Sequence, residues 1–318
     1  MINLLEKNYI MNCKIKNFTN KKDLKLFWDT YQKNYTKYLE IETLPLSQML
    51  YNLSHISILN ANSKILELSI GGGKAFENLI KQTPCKIIFG GDLSENMLRE
   101  ANSYLELQLG SNFKNYKNKN INTLILDNED LSQFDDNYFN TIISNLSIHL
   151  VSDPNKMLNE MHRVIDKNNK NSTITVSVWG RPQNNFIFSI IPKHMKLLNF
   201  EIPNIRSNYH LSKKSKIIDL VNEFNFNSKS TYKFNISYME YISYPSGFCS
   251  SRDIIHILDS PIYKEIINIP NNKLKEREFI NNIIEEADKQ FSIYKRLSYE
   301  YLIIQLNISK ELNIKYSI

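Results

Sequence analysis

The chain has 318 residues, of which 42% are hydrophobic and 23% are charged, and its formal net charge at pH 7 is +6. This length and apolar content exclude an intrinsically disordered chain, and they are enough for one large domain or for a domain with an insertion. Lysine is spread along the whole sequence without a compact basic block, so the charge gives no clear indication of a nucleic-acid partner.

Cysteine usage and hydropathy indicate the compartment. Cys13, Cys85 and Cys249 are far apart and form no C-x-x-C pair, so we expect neither a disulfide framework nor a metal site. No apolar run approaches the ~18–20 residues that a membrane-spanning helix needs. Residues 1–18 interleave Lys, Asn and Glu where a signal peptide has an apolar centre. We therefore expect a cytoplasmic protein without a membrane span, although the basic N-terminus leaves organelle import open.

The predicted elements begin with a helical N-terminal extension over residues 1–60. From about 62 to 178, short apolar runs alternate with helical patterns, and Ser94 and the Asp153-Pro154 pair are typical helix starts. Strands separated by helices predict a parallel sheet built with right-handed crossovers. The runs predicted as strands are SKILELS, KIIFGGD, INTLILD, YFNTIISNL and STITVSVWG.

Beyond residue 180 the sequence predicts a helix over 213–226, strands over 231–240 and 298–310, and a helical segment between those strands. The fold class is therefore α/β, with a doubly wound, Rossmann-like, seven-stranded and mostly parallel sheet. A helical N-terminal extension precedes it, and a helical insertion precedes the last strand. The predicted units are 1–60 for the extension, 61–244 for the core domain, 245–296 for the insertion and 297–318 for the last strand.

The stretch ILELSIGGGKAF at 65–76 contains three consecutive glycines, in a chain with only 8 glycines. They follow the first strand, in the turn where open α/β sheets bind ligands, and glycine lets a ligand approach the backbone. A phosphate-binding loop of the ATPase type is disfavoured, because Ala75 follows Lys74 where a hydroxyl is needed. A dinucleotide site is the weaker fit, because Phe76 stands where a third small residue packs helix on strand.

This turn resembles that of class I S-adenosylmethionine-dependent methyltransferases, in particular the small-molecule, quinone-biosynthesis-like type 11 enzymes. Their first motif is an acid followed by G-x-G-x-G, and Glu67, Ser69, Gly71 and Gly73 stand in those places, with Ser69 replacing the first glycine. The resemblance covers 62–180 strongly and 205–310 in outline. It implies that the acid and the turn hold the amino-acid end of S-adenosylmethionine, and that 61–244 is the cofactor-binding domain.

Two further motifs extend the resemblance. KIIFGGDLSENML at 86–98 puts Asp92 at the end of the second strand, where an acid can accept both ribose hydroxyls; read alone, Asp92 could equally be a helix-capping acid. Leu93 is counted with it as cofactor-binding. In LILDNEDL at 124–131, the resemblance implies that Asp127 and Asn128 meet the adenine and that Leu131 covers the ring.

The acceptor is expected beyond the ends of the fourth and fifth strands, which makes Asn145 a cofactor-site residue and His149 the nearest proton acceptor. His149 could also be a loop histidine that only packs. Tyr31 lies on a helical aromatic stripe that could form a lid over the site or ordinary core. We take His149 and Tyr31 as candidate catalytic residues.

The function implied is methyl transfer from S-adenosylmethionine to a small-molecule acceptor by in-line displacement, which needs no metal. Tyr241, Tyr244 and Phe248 indicate an apolar or aromatic acceptor, and 245–296 would be its lid. Two alternatives stay open, a non-catalytic methyltransferase-fold partner protein and an NAD-dependent enzyme. The sequence does not predict the methylated atom or the oligomeric state.

Overall fold

A computed structural model describes residues 20–200, 207–248, 250–254, 273–294 and 296–310. One sheet of seven strands has the order β3-β2-β1-β4-β5-β7-β6. The strands are β1 Lys64–Leu68, β2 Ile87–Asp92, β3 Asn120–Ile125, β4 Thr141–Ser144, β5 Thr173–Trp179, β6 Lys233–Pro245 and β7 Ser298–Ser309.

The strands β1 to β5 pair in parallel, whereas β7 runs antiparallel to both β5 and β6. From β1 the chain builds outward through β2 and β3, then crosses to β4 on the other side of β1. Such a reversal opens a crevice at the carboxyl ends of the strands, where open α/β sheets bind ligands. The fold class predicted from the sequence is confirmed, and the crevice lies between β1 and β4.

Helices cover both faces of the sheet. One core contains Ile65 of β1, and the other contains its neighbour Leu66, because successive strand residues point to opposite faces. All of β4 is buried, as expected for a parallel strand with helices on both sides. The α-helices of the described ranges are α1 Lys21–Asn34, α2 Glu40–Leu53, α3 Lys74–Gln82, α4 Glu95–Leu109, α5 Pro154–Val164, α6 Phe186–Leu197, α7 Lys214–Asn227 and α8 Lys273–Tyr294.

The helical N-terminal extension is present from residue 20 onward. A single π-helical turn, Tyr35–Leu39, joins α1 to α2 without a break. Leu46, Leu50 and Tyr51 of α2 are fully buried in the same core as Ile65. The extension is therefore packed on the sheet through α2, and α1 continues from it toward the carboxyl ends of the strands.

The second half of the chain follows the predicted order, with differences at the boundaries. The strand predicted over 231–240 is longer, β6 Lys233–Pro245, because it pairs with β7 along its whole length. Within the segment predicted as a helical insertion, a short 3-10 helix, Ser251–Ile254, and α8 are described. Residues 255–272 of that prediction lie outside the described residues, as do 1–19, Cys249 and 311–318. In the ranges that the structure describes, every helix is too short or too polar to cross a bilayer.

Candidate functional site

The three consecutive glycines form the turn between β1 and α3. The φ angle is +57° at Gly71 and +89° at Gly73, values that residues with a Cβ rarely adopt. A Cβ on Gly73 would also lie 3.0 Å from the backbone of Ala101 in α4. Glycine is required at position 72 for a different reason, because a Cβ there would lie 2.6 Å from both Thr36 and Glu40 of the N-terminal extension. Each glycine therefore permits a separate close approach at this turn.

Asp92 joins the end of β2 to the glycine turn. Its Oδ2 accepts a 3.0 Å hydrogen bond from the amide of Gly71, and its Oδ1 accepts one of 3.0 Å from the amide of Ser94. Burial raises the pKa of Asp92 to about 6, although the two amide hydrogen bonds act in the opposite direction. The two sequence motifs that indicated a cofactor site are thus in direct contact.

Glu67 is a buried acid in β1, only 2% exposed. The hydroxyl of Tyr51 donates to both of its carboxylate oxygens, at 2.9 and 3.0 Å. Burial raises the pKa of Glu67 to about 8, with the Tyr51 hydrogen bond acting in the opposite direction. No described Lys, Arg or His forms an ion pair with it. A buried carboxylate without a counter-charge is costly, and a cationic ligand group would lower that cost.

Asn128 and Asp127 follow β3, on the side of β2 away from β1. The amide nitrogen of Asn128 donates to Ser69 Oγ at 2.9 Å, which brings together two residues assigned to the cofactor from separate motifs. Its Oδ1 is buried and has no hydrogen-bond partner in the described ranges. Asp127 instead pairs with Lys21 of α1, with 2.6 Å between Oδ2 and Nζ. Leu131, the predicted ring cover, is fully buried.

Asn145 lies just past β4 and is held from two sides. Its amide nitrogen donates to Ser47 Oγ of α2 at 2.7 Å, and its Oδ1 accepts from Ser177 Oγ of β5 at 2.7 Å. Its side chain therefore ties the N-terminal extension to the centre of the sheet. Leu93, next to Asp92, is half-buried.

The two candidate catalytic residues are enclosed by protein. His149 is 1% exposed in the loop after β4. Tyr31 is 5% exposed in α1, and its ring centroid lies 5.5 Å from that of Phe27 and 6.4 Å from that of Trp28. The aromatic stripe of α1 is therefore packed against its neighbours, and a direct role for either side chain in proton transfer stays a prediction.

The N-terminal extension makes polar contacts with the rim of the crevice at three places. Besides the Lys21–Asp127 pair, Asp29 Oδ1 accepts hydrogen bonds from Ser94 Oγ at 2.6 Å and from the amide of Asn96 at 3.3 Å. These two donors belong to the start of α4, directly after Asp92. Sequence reasoning placed the extension near the site but did not identify Lys21 or Asp29, because neither belongs to a motif.

Glu40 makes the third contact, at the glycine turn itself. Its Oε1 accepts a 3.2 Å hydrogen bond from the amide of Lys74, and its Oε2 lies 3.1 Å from the Lys74 ammonium. Burial raises the pKa of Glu40, and the paired Lys74 acts in the opposite direction. Tyr35 lies above Gly71, where an added Cβ would be 3.1 Å from the phenol ring. The turn is thus covered by the residues around the π-helical turn.

Aromatic side chains line the carboxyl end of β5 and the facing end of β7. Trp179 and Tyr301 are paired in register across these strands, and their rings stack with centroids 5.2 Å apart. Tyr299 is 5.7 Å from Trp179, and Phe248 is 6.5 Å from Tyr299. Tyr244, one of the residues predicted to line the acceptor pocket, is half-buried beside the same core. Within the described residues, no group of three or more His, Cys, Asp or Glu side chains is arranged to hold a metal ion.

The segment that carries these motifs has a sequence match. Residues 66–170 match the family described as "Methyltransferase domain", of the type 11 class. The resemblance indicated by Glu67, the glycine turn and Asp92 is thereby confirmed for the methyltransferase domain, whereas no curated protein matches the chain.

Solved structures extend the likeness beyond the matched methyltransferase domain. A Bacillus halodurans protein, named as a candidate methyltransferase, is 15% identical and has a TM-score of 0.52, with 82% of this chain and 98% of that chain covered. The [4+2]-cyclase SpnF is 12% identical and has a TM-score of 0.51, with 91% of this chain and 96% of that chain covered. Likeness at such low identity establishes the fold. Because one of the two is named for a cyclisation, the reaction has to be argued from the site.

Proposed function

We propose that this protein transfers a methyl group from S-adenosylmethionine to a small-molecule acceptor. The hydrogen bond between the amide of Gly71 and the Asp92 carboxylate is the observation that carries the proposal. It joins the glycine turn after β1 to the acid that ends β2, inside a segment belonging to a methyltransferase family. Both groups lie at the crevice beside the reversal of strand order, where this kind of sheet binds ligands.

The side chains around the crevice fit the parts of this cofactor. The buried Glu67 carboxylate has no cationic partner among the described residues and would hold the ammonium group of the methionine portion, with Ser69, Gly71 and Gly73 providing the turn. Asp92 and the adjoining Leu93 would hold the ribose. The buried Oδ1 of Asn128, which has no partner among the residues described, would accept from the adenine amino group, with Asp127 beside it. Asn145 would support the methyl-donating end.

The reaction makes modest chemical demands on the chain. When bound, S-adenosylmethionine supplies a methyl group on a sulfonium, which is already activated for displacement. The protein then has to orient the acceptor in line with the methyl group and exclude water. His149 would take a proton from an acceptor that needs to lose one, and Tyr31 would close the site with the rest of α1.

The proposed unit boundaries follow from this arrangement. Residues 61–244 would bind the cofactor, and 297–318 would complete the sheet. Residues 1–60 and 245–296 would close over the cofactor and the acceptor. The contacts of Lys21, Asp29 and Glu40 with the rim of the crevice support the first of these two lids. Because these contacts involve the groups proposed to hold the cofactor, the N-terminal lid would have to open for entry.

Titration calorimetry tests the cofactor assignment. S-adenosylhomocysteine should bind to the wild-type protein, and NAD should not. Asp92→Ala should weaken binding roughly 5- to 150-fold, because two ribose hydroxyls lose an acceptor at about 1–3 kcal/mol. Asp219→Asn, at an acid whose side chain is 68% exposed, is the matched control and should leave the affinity unchanged. Equal affinity in the wild-type and the Asp92 variant would remove the assignment.

Turnover separates an enzyme from a binding protein with the same fold. Methyl-labelled S-adenosylmethionine is incubated with the protein and a cell extract, and labelled small molecules are separated and counted. Label transfer that depends on Asp92 supports the methyltransferase. Cofactor binding without transfer to any extract component would favour the alternative, a non-catalytic methyltransferase-fold partner protein.

A further inference from the structure

A group of four side chains near the crevice is not explained by cofactor binding. We call Trp179, Tyr299, Tyr301 and Glu42 the aromatic-acid cluster. Trp179 is the last residue of β5, so the cluster lies at the carboxyl edge of the sheet, beyond the end of the strand next to β4. Its three rings lie within 5.2–6.1 Å of one another between centroids. This is the edge where the proposed function requires the acceptor.

Glu42 brings a negative charge to these rings without a matching positive one. It lies in the first turn of α2, and its Oε2 accepts a 2.7 Å hydrogen bond from the amide of Gly247. Within the part of the chain that the structure describes, no ion pair involves Glu42. Burial raises the pKa of Glu42. Burial also raises the pKa values of Tyr299 and Tyr301, and the Glu42 charge acts in the same direction on both. The guanidinium of Arg181, two residues after Trp179 in the chain, is paired with Glu300.

Tyr301 provides a second, independent observation. Its side chain is fully buried, and its hydroxyl has no hydrogen-bond partner among the described residues. A buried polar atom without a partner is uncommon in proteins, and it is often explained by a missing ligand or water.

We propose that the aromatic-acid cluster binds a substituted ammonium group, so that the methyl acceptor is an amine. The faces of Trp and Tyr rings attract such cations, and the attraction is strongest where water is excluded. The carboxylate of Glu42 supplies the counter-charge, and the Tyr301 hydroxyl can accept from an N–H group. A carboxylate or phenolate acceptor would meet the Glu42 charge without compensation and be repelled. This inference rests on the proposed function and gives its substrate class.

The chemistry of an amine acceptor balances without another reactant. The bound ammonium gives one proton to water, and the freed lone pair on nitrogen forms the bond to the methyl carbon. The carbon–sulfur bond breaks, and its electron pair stays on sulfur as the sulfonium becomes a neutral thioether. The methylated nitrogen is again cationic, so the same cluster holds substrate and product.

Two probes of nearly equal shape test the cluster. Choline carries a quaternary ammonium, and 3,3-dimethylbutan-1-ol is its neutral carbon counterpart. Binding of each is followed by the fluorescence of Trp179 in a Trp28→Phe background, with and without S-adenosylhomocysteine. We expect choline to bind at least 10-fold more tightly than the neutral alcohol. Equal binding of the two probes, or no binding of choline, would overturn the proposal.

Variants locate the site and separate it from the cofactor assignment. Glu42→Gln should weaken choline binding at least 5-fold and leave the neutral probe unchanged, and Tyr301→Phe should retain the ring and most of the choline affinity. Glu240→Gln, at an acid 57% exposed on β6, is the matched control and should have no effect. An equal affinity for choline in Glu42→Gln and wild type would contradict the assignment. S-adenosylhomocysteine affinity, measured on the same samples, reports on the proposed function alone and confirms that each variant is folded.

Discussion

The ammonium of Lys21 lies 2.6 Å from the carboxylate of Asp127, although 106 positions separate the two residues in the chain. The same ammonium is 3.3 Å from Glu129. These contacts attach the start of α1 to the loop after β3, which holds the residues proposed to meet the adenine. We therefore expect opening of the proposed N-terminal lid and exposure of the proposed adenine position to respond to the same substitution.

Lys21→Gln should loosen the lid with little effect on global stability. Its side chain is 41% exposed and that of Asp127 is 28% exposed, and ion pairs of this kind contribute about 0–1 kcal/mol. We expect amide hydrogen exchange in 20–34 to become faster, while the free energy of unfolding changes by less than about 1 kcal/mol. Lys216→Gln, in an exposed pair on α7, is the control. Unchanged exchange in 20–34 would show that other contacts hold α1 in place.

Ligand binding should protect the lids. With S-adenosylhomocysteine and an amine acceptor both present, exchange in 20–38 and 245–260 should slow, because closure protects amides that otherwise open locally. Mass spectrometry of peptic fragments measures this. Slowing that is confined to the glycine turn at 69–75 would mean that both flanking segments only pack against the core.

Glu67 should make stability depend on pH in the neutral range. Its pKa is about 8 in the folded protein, against an ordinary value of 4.5. Between these values the folded state binds more protons than the unfolded state, so this residue's contribution to stability falls as pH rises from about 4.5 to 8. Glu67→Gln has no carboxyl to titrate and therefore lacks this pH-dependent loss. Its free energy of unfolding, relative to that of wild type, should increase by roughly 2–5 kcal/mol between pH 5 and pH 8.

Urea unfolding of both proteins at several pH values measures this difference. Tyr51→Phe is a second test. The Tyr51 hydroxyl lowers the pKa of Glu67, so without it the decrease in the free energy of unfolding should continue to higher pH. A constant difference between Glu67→Gln and wild type across this range would show that the carboxyl is ionised in the folded state throughout.

Gly72→Ala tests the approach of the N-terminal extension to the glycine turn. The new methyl group would lie 2.6 Å from side-chain atoms of Thr36 and Glu40, so these side chains or the helix that carries them must shift. We expect a loss of about 1–3 kcal/mol in the free energy of unfolding, as for other overpacked sites, and faster exchange in 35–45. Combining it with Glu40→Ala should cost less than the sum of the two single changes. Strict additivity would mean that the two residues do not share a contact.

The sheet and the cofactor motifs could be predicted because their signals are local. Alternating apolar runs and helical patterns predicted the strands of the core. The three glycines between the first strand and the first helix of the core predicted a ligand-binding turn. Asp92 was predictable from its place at the end of a strand. That it accepts from Gly71, 21 positions earlier, follows from strand order, which puts β1 beside β2.

The residues contributed by the N-terminal extension could not be predicted. Glu40, Glu42 and Lys21 stand in ordinary helical sequence, and their role depends on how α1 and α2 are placed against the sheet. That placement is set by buried side chains such as Leu46 and Leu50, which any amphipathic helix would carry. Tyr51 was missed for the same reason, since only the fold brings it to Glu67.

The number of residues in the π-helical turn Tyr35–Leu39 determines how α1 is oriented relative to α2. Its closing bond runs from the amide of Glu40 to the carbonyl of Tyr35, one residue wider than an α-helical turn. Removing a single residue there would rotate one helix against the other by about 100°. With α2 still packed on the sheet, α1 would be the helix that rotates, and Lys21 and Asp29 would then point away from the crevice. Insertions and deletions in this turn should therefore be far rarer among natural relatives than in the exposed loop at 166–171.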